Sequence, residues 1–283
     1  MRIALVQMDV QLGEVESNLN AICQHIETTT KAGVRLTIFP ECALPGYCFD
    51  SLAEARPYAQ SIPGPATERI AGSLKTSGSA AIVGMLEADG DHLYNVAVLI
   101  GPDGVIGRYR KIHLPGLGID RFNTHGPEPF AVHEFEGLRV GMAICYDSAF
   151  PESMRCLALA GADLVALPTN FPSGAEGMID FVCRTRAMEN NVYFACCNRI
   201  GEERGFRFLG GSQIINPTGR RLAMAGESDA EILYADIDPQ QARQKQIVRV
   251  PGKHVIHRMN DRRPELYSPL TLPVQPSLPD EAR

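Results

Sequence analysis

Apolar residues recur with strand spacing and with helix spacing in turn along most of the chain. In the first half, these runs predict strands at 2–10, 35–41, 80–88, 93–101 and 105–114. Helical periodicity predicts an amphipathic helix over 14–32, ended by Gly33, and shorter helices near 51–60 and 66–76. The turn sequences ADGDH and PDG separate the last three strands, which indicates hairpins there.

The second half of the chain shows the same alternation. Strands are predicted at 129–135, 138–145, 163–170, 192–200, 211–218, 221–226 and 231–238. Helices are predicted at 151–162, 176–190 and 239–245. Strand–helix–strand units at both ends, with hairpins between them, predict an α/β fold of two mixed sheets, each covered by helices on one face. Packed against each other, such sheets form a four-layer α-β-β-α sandwich.

The last part of the chain differs in composition. Residues 251–283 are rich in proline and charge, which is typical of an extended arm rather than of a second domain. A length of 283 residues is compatible with one large domain followed by such an arm. We therefore expect one domain over 1–250 and a C-terminal arm over 251–283, placed at an oligomer interface.

Charge and cysteine content exclude several classes of protein. The net charge is −6 and no basic block is present, so a nucleic-acid binder is not expected. No apolar stretch approaches the roughly 18 residues of a membrane span, and the N-terminus lacks signal-peptide features. The sequence thus predicts a soluble, cytoplasmic protein with eight reduced cysteines. Neither zinc-site spacing nor a glycine-rich phosphate loop occurs, so we expect no metal and no cofactor.

Three predicted strand ends carry groups that together suit covalent attack on an amide carbonyl. Glu41 follows the strand RLTIFP, Lys111 lies in RYRKIHL, and Cys145 ends the apolar run RVGMAI. Ligands commonly meet α/β sheets at the carboxyl ends of strands. Taken singly, Glu41 could equally be a loop acid, Lys111 a surface cation and Cys145 a core thiol.

The chemistry assigns a separate role to each group. A cysteine is mostly protonated at neutral pH, so a base must activate it, and Glu41 among apolar neighbours can have a pKa raised enough to do so. Lys111 would supply positive charge to the developing oxyanion, and the backbone N–H of Tyr146 would be a second donor. Cys145 would then be the nucleophile.

Six sequence motifs give the chain a resemblance to a known family. They are FPE with Glu41, YRKIHL with Lys111, CYDSAFPE with Cys145, GADLVALPTN, RAMEN at 186–190 and NRIGEERGFRFLGGSQIINPTG. In this order and spacing, the sequence resembles the nitrilase superfamily of carbon–nitrogen hydrolases over about residues 1–245. The resemblance implies the α-β-β-α sandwich, a Glu-Lys-Cys triad at Glu41, Lys111 and Cys145, and assembly as a homodimer or larger oligomer.

The chain departs from the family pattern at one point. Many members carry a second glutamate in the loop after the lysine, whereas this loop reads LPGLGIDRFNTHGPEPF. Asp120 falls close to the expected place, with a shorter side chain, and is a candidate for a supporting role. Glu152, which opens the helix after the nucleophile, is a second one, acting at the helix N-terminus or through a hydrogen bond within the site. Residues expected near substrate lie just beyond catalytic or sheet-end segments: Tyr47, Phe122, Asn170 and Phe171.

The resemblance implies hydrolysis of a small carboxamide to acid and ammonia through a cysteine thioester. An N-carbamoyl amidohydrolase and a nitrilase use the same triad, and the sequence does not choose among the three. A non-catalytic interaction module is a different class, which the intact Glu-Lys-Cys set disfavours. A thiol peroxidase is disfavoured because no resolving cysteine is evident.

Overall fold

The computed structural model describes residues 1–273 of the chain. It divides into two compact units, Met1–Arg243 and a C-terminal unit that begins at Gln244. The arm predicted over 251–283 falls in the second unit, and its residues 274–283 lie outside the described part. Among the described helices, none is both long and apolar enough to cross a membrane.

The predicted strands and helices occur in the predicted order, and four short strands, at 202–203, 206–207, 247–250 and 254–256, were not predicted. The strands are β1 (Arg2–Gln7), β2 (Leu36–Ile38), β3 (Ala80–Asp89), β4 (His92–Gly101), β5 (Gly104–Arg110), β6 (Val132–Phe135), β7 (Leu138–Met142), β8 (Leu164–Thr169), β9 (Tyr193–Asn198), β10 (Glu202–Glu203), β11 (Phe206–Arg207), β12 (Gln213–Ile215), β13 (Arg221–Met224), β14 (Glu231–Asp236), β15 (Ile247–Val250) and β16 (His254–Ile256). The α-helices are α1 (Val15–Lys31), α2 (Leu52–Ala55), α3 (Pro65–Leu74), α4 (Pro151–Leu159), α5 (Cys183–Asn190) and α6 (Pro239–Arg243). A π-helical turn, Met178–Val182, leads into α5.

Two six-stranded mixed sheets form the centre of the first unit. The first has the strand order β14-β1-β2-β3-β4-β5, in which β1, β2 and β3 are parallel and the other pairs antiparallel. The second has the order β13-β12-β9-β8-β7-β6, in which β7, β8 and β9 are parallel. The prediction of two mixed sheets is confirmed.

Helices cover the outer faces, and the inner faces of the sheets meet. The apolar stripe of α1, with Leu19, Ile22 and Ile26, packs with α3 on the first sheet, while α4 and α5 contact the second. Contacts of β1 with β9 and of β3 with β8 join the sheets, and the Cys197 thiol donates to the carbonyl of Val6 in β1. The four-layer α-β-β-α architecture is therefore as predicted.

The structure corrects the prediction around the cysteine. The strand predicted over 138–145 ends at Met142, and Cys145–Ala149 forms a single 3₁₀ turn before α4. The cause is local: Asp147 accepts a hydrogen bond from the N–H of Ile144, which folds the chain into a turn three residues early.

The C-terminal unit contains short elements that the sequence did not predict. Strands β15 and β16 pair as an antiparallel hairpin, with register Ile247 opposite Ile256. Two 3₁₀ turns, Pro264–Leu266 and Ser268–Thr271, follow it. The residues described here are thus turns and a hairpin rather than a fully extended segment.

Candidate active site

Glu41 lies in the turn that follows β2. Its side chain is fully enclosed, because the turn packs directly on β3 at Gly84. A Cβ atom at Gly84 would lie 2.3 Å from the carbonyl oxygen of Pro40 and 2.4 Å from the amide nitrogen of Cys42. Only a glycine in β3 therefore allows the turn to approach this closely.

Lys111 lies directly after β5, and its side chain is completely buried. Its backbone N–H donates to the carbonyl of Asn95, and its carbonyl accepts from Gly126, both at 2.8 Å. Its Nζ atom is 2.6 Å from Oε1 of Glu41 and 2.6 Å from Oδ2 of Asp120. The structure thus brings Glu41 and Lys111 together as predicted, and adds Asp120 as a second carboxylate on the same cation.

Asn95 completes this cluster, and sequence reasoning missed it. Its Nδ2 group donates to Oε1 of Glu41 at 2.7 Å and to Oδ1 of Asp120 at 3.0 Å. The Oδ1 atom of Asn95 faces the thiol of Cys42 at 3.7 Å. The available signal was a lone polar residue inside the apolar strand LYNVAVLIG, because buried polar groups need partners.

Tyr47 binds the same oxygen of Asp120 as Lys111 does. Its hydroxyl group lies 2.9 Å from Oδ2 of Asp120 and 3.0 Å from the carbonyl of Leu117. Burial and the negative charge of Asp120 raise the pKa of Tyr47 well above its ordinary value, so the hydroxyl stays protonated and donates. Tyr47 is a buried member of the carboxylate network, and its contact with substrate stays a prediction.

Cys145 begins the 3₁₀ turn beyond β7 and is 7% exposed. In the parallel pair β7–β8, Met142 is opposite Ala166; Thr169 ends β8, and Cys145 lies the same number of residues beyond Met142, past the end of β7. Burial raises the pKa of the Cys145 thiol to about 12, the negative charge of Glu41 adds to this, and Lys111 opposes it. The thiol therefore lies within the electric field of both predicted partners.

The pKa values of Glu41 and Lys111 reflect their burial and their mutual contact. Burial raises the pKa of Glu41, Lys111 opposes this shift and Asp120 reinforces it. Burial alone would lower the pKa of Lys111, but the charges of Asp120 and Glu41 outweigh it and raise that pKa well above the ordinary value. Lys111 therefore remains a cation.

The other residues predicted for the site lie in different surroundings. Asn170 and Phe171 directly follow β8 and are buried, whereas Phe122 is half-buried with the Arg121 guanidinium 4.7 Å from its ring centre. Tyr146 follows Cys145 in the 3₁₀ turn and has a 40% exposed side chain. Glu152 is exposed in the first turn of α4, outside the buried network.

A buried ion pair supports the Tyr47 loop. Oε2 of Glu203 accepts from the N–H groups of Tyr47 and Cys48 at 3.0 and 2.9 Å, and its other oxygen contacts the fully buried Arg199. Arg199 also donates to Asp9 at 2.9 Å. Arg199 and Glu203 belong to the motif NRIGEERG, and the sequence analysis assigned neither of them a role in the site.

Metal ligation finds no support in the described side chains. Residues 1–273 contain no group of three or more His, Cys, Asp and Glu side chains that could hold a metal ion. What the site does offer is a buried cation between two carboxylates, and the charges of Glu41 and Lys111 act on the pKa of the Cys145 thiol.

Comparison with known proteins gives one consistent family. The profile of the carbon-nitrogen hydrolase family matches residues 2–246. A nitrilase from Pyrococcus abyssi is 38% identical over 270 residues, which cover 94% of this chain and 99% of that protein. The omega-amidase NIT2 of Homo sapiens is 32% identical over 249 residues, covering 84% and 88% respectively.

Solved structures agree with this family. An amidase from Nesterenkonia AN1 matches with a TM-score of 0.79 and 25% identity, over 95% of this chain and 97% of that one. A variant of that amidase shows covalent addition of the acetamide moiety of fluoroacetamide at its active site cysteine. The fold and these relatives define an enzyme, a carbon–nitrogen hydrolase. The chain belongs to the carbon-nitrogen hydrolase family, within the nitrilase superfamily.

Proposed function

We propose that the protein hydrolyses a small carboxamide to the carboxylic acid and ammonia through a thioester on Cys145. The observation that carries this proposal is the buried contact between Lys111 and Glu41 beside the Cys145 thiol. The amidase names of the human and Nesterenkonia relatives support it. In this proposal Cys145 is the nucleophile, Glu41 is the base and Lys111 is the cation that stabilises the oxyanion.

Acylation begins from the neutral thiol. Glu41 accepts the thiol proton as Sγ of Cys145 bonds to the amide carbon, and burial suits both groups to the transfer because it raises both pKa values. Lys111 and the N–H of Tyr146 stabilise the oxyanion. Tyr146 is the second residue of a 3₁₀ turn, where N–H groups lack a partner within the turn.

Glu41 serves as the proton carrier both at the end of acylation and in the hydrolysis that follows. Glu41 passes its proton to the leaving nitrogen, the C–N bond breaks, and ammonia departs with the acyl group left on Cys145. Water then attacks the thioester while Glu41 accepts one of its protons, and the C–S bond breaks as Glu41 returns that proton to Sγ of Cys145, which restores both the thiol and the carboxylate. One amide and one water give one acid and one ammonia.

Asn170 is the residue that we assign to substrate recognition. Its Oδ1 and Nδ2 atoms are buried and have no hydrogen-bond partner within the described chain, and neither has Oε2 of Glu41. Buried polar atoms of this kind cost free energy unless a ligand or water pairs with them. A primary carboxamide offers one acceptor and two donors, which complement the Asn170 side chain. Phe171 and Phe122 would supply apolar contact nearby.

Nitriles and ureides are the alternative substrates for the same residues. The name of the Pyrococcus relative supports a nitrile, to which the thiol would add to give a thioimidate. The unpartnered Oδ1 of Asn170 favours an amide, because an amide nitrogen donates a hydrogen bond and a nitrile nitrogen does not.

Ammonia release over matched amides, ureides and nitriles tests the substrate class, and we expect the amides to be fastest. Mass spectrometry of enzyme quenched during turnover should place an acyl adduct on Cys145. Cys42→Ala and Cys48→Ala are matched controls that should keep this adduct, whereas Cys145→Ala should fold and be inactive. Turnover in Cys145→Ala, or an adduct on Cys42, would contradict the proposal.

We also propose that the protein forms a homodimer or larger oligomer, with the C-terminal arm at an interface. Exposed apolar side chains of the first unit support association, among them Phe181 at 71% exposure and Leu159 at 48%. Light scattering coupled to size exclusion, on the full chain and on a chain ending at residue 250, tests both parts.

A further inference from the structure

Asp147 is a buried carboxylate that binds two separate segments of the site. Its Oδ2 atom accepts hydrogen bonds from the N–H of Ile144 and the hydroxyl of Tyr109, both at 2.8 Å. Its Oδ1 atom accepts from the N–H of His113 at 3.2 Å and faces the ring Nδ1 of His113 at 2.7 Å. Since a carboxylate only accepts, Nδ1 of His113 carries the proton.

The four hydrogen bonds of Asp147 reach the chain on both sides of Lys111 and the residue just before Cys145. Tyr109 and His113 stand two positions before and two positions after Lys111. Ile144 precedes Cys145, and Asp147 follows it. One carboxylate therefore ties the chain around the lysine to the turn around the cysteine. The bonds do not involve the acidic partners of Lys111, so this link is separate from the Glu41 network.

The backbone of Cys145 needs such a link. Its φ angle is +45°, in the left-handed region that non-glycine residues rarely adopt. A residue persists there only when its surroundings hold it. Asp147 binds the N–H just before Cys145, and the hydroxyl of Ser148 donates to the Cys145 carbonyl at 2.7 Å.

We propose that Asp147 is a positioning residue that fixes the lysine relative to the nucleophilic thiol during acylation. This inference rests on the function proposed above, because it takes Cys145 and Lys111 as the reacting pair. Asp147 acts through Ile144 on the thiol and through Tyr109 and His113 on the ammonium. Reaction rates depend steeply on such placement, since a misplacement of about 1 Å can cost on the order of 100-fold.

An isosteric substitution breaks the link without changing its volume. In Asp147→Asn, one carboxylate oxygen becomes an NH₂ group, which donates. Placed at Oδ2 it faces the N–H of Ile144, and placed at Oδ1 it faces the N–H of His113. Either orientation sets two donors against each other, so the asparagine cannot hold both segments.

A matched control exists at the opposite end of the second sheet, where β8 begins. Asp163 is also fully buried and precedes β8, where it pairs with Arg139 at 3.0 Å and Arg243 at 2.7 Å. It contacts neither proposed catalytic segment. Asp163→Asn thus removes a buried carboxylate at a similar structural cost, away from the site.

The experiment compares kcat, KM and the alkylation rate of Cys145 by iodoacetamide in the two variants, well below their melting temperatures. We expect Asp147→Asn to lower kcat and alkylation by about tenfold or more with KM changed by less than about threefold, and Asp163→Asn to lower only the melting temperature. Equal kcat losses in the two variants, or a wild-type kcat and alkylation rate in Asp147→Asn, would overturn the inference.

Two further measurements keep the outcomes separate. If Asp147→Asn does not fold, Tyr109→Phe removes one of the four hydrogen bonds to Asp147. We then expect kcat and the alkylation rate of Cys145 each to fall by about threefold. Unchanged rates in Tyr109→Phe would then refute the link. An acyl adduct on Cys145 in the wild type, measured alongside, reports on the proposed function independently of either variant.

Discussion

Oε1 of Glu41 lies 2.6 Å from Nζ of Lys111, and both side chains are completely shielded from solvent. Asp120 contacts the same Nζ atom at the same distance. One buried cation therefore faces two carboxylates, and with all three groups ionised the cluster carries one excess negative charge. That excess charge determines how the cluster should respond to pH and to substitution.

The acid limb of the pH–rate profile should report Glu41. The base must be ionised to accept the thiol proton, so kcat/KM should fall as the pH drops through the pKa of Glu41. Because burial raises that pKa, we expect the midpoint above the ordinary glutamate value of 4.5. The profile of kcat/KM against pH checks this, and a midpoint at or below 4.5 would contradict it.

Asp120→Asn should move that acid limb to lower pH. The charge of Asp120 raises the pKa of Glu41, so its removal lowers that pKa while Lys111 stays in place. The shift should appear in kcat/KM measured from about pH 4 to 8. An unchanged midpoint would show that the limb belongs to another group.

Lys111→Met should destabilise the fold as well as abolish activity. Removal of the cation leaves buried carboxylate without compensation, which typically costs about 3–5 kcal/mol in the free energy of unfolding. Without Lys111, the pKa of Glu41 in the folded state rises further, so folding favours its protonated form. The loss of stability should therefore be smaller near pH 5 than near pH 7. Urea denaturation at both pH values measures it. Lys31→Met, which removes an exposed pair with Glu27, is the control and should change nothing measurable.

Tyr47→Phe distinguishes a support for Asp120 from a residue that contacts substrate. The substitution removes the hydroxyl that binds Asp120 and the carbonyl of Leu117, while the ring remains. We expect a loss of roughly 1–3 kcal/mol in stability and a lower kcat, because Asp120 loses one of its donors. A higher KM with unchanged kcat would instead indicate direct substrate contact.

Gly84→Ala should impair the site from the neighbouring strand. The added Cβ would lie within 2.7 Å of backbone atoms of Pro40, Glu41 and Cys42, so the Glu41 turn must move. We expect a loss of about 1–3 kcal/mol in stability together with a large fall in kcat. Gly72→Ala in α3, where the new Cβ meets no atom within 4 Å, should stabilise by roughly 0.5–1 kcal/mol and leave kcat unchanged.

The sequence could predict the residues that stand at strand ends. Glu41 follows the buried strand β2 and Lys111 directly follows the edge strand β5, so their convergence at one sheet edge followed from the order of elements. Asp120 could be placed only approximately, because its loop has no periodic pattern and the register depends on the contact with Lys111. The strand before Cys145 was predicted too long, since Asp147 bends the chain by a bond that apolar spacing does not reveal.

Two other residues act through long-range contacts that the sequence analysis did not predict. Asn95 lies in an otherwise apolar strand, and its role depends on partners 54 and 25 positions away. Glu203 binds the N–H groups of Tyr47 and Cys48 from more than 150 positions away. Spacing rules describe neighbours along a helix or strand, so contacts of this range require the folded chain.

The strand order of the first sheet has a consequence for the time at which the protein can fold during synthesis. β1 is synthesised well before β14 and pairs along its whole length with it, from Arg2 opposite Asp236 to Gln7 opposite Glu231. The N-terminal amino group also binds the carbonyl of Ile237. A nascent chain therefore exposes an unpaired edge of β1 until β14, Glu231–Asp236, has emerged. Resistance of ribosome-bound chains to protease should accordingly appear late and in one step, after β14 is free to pair.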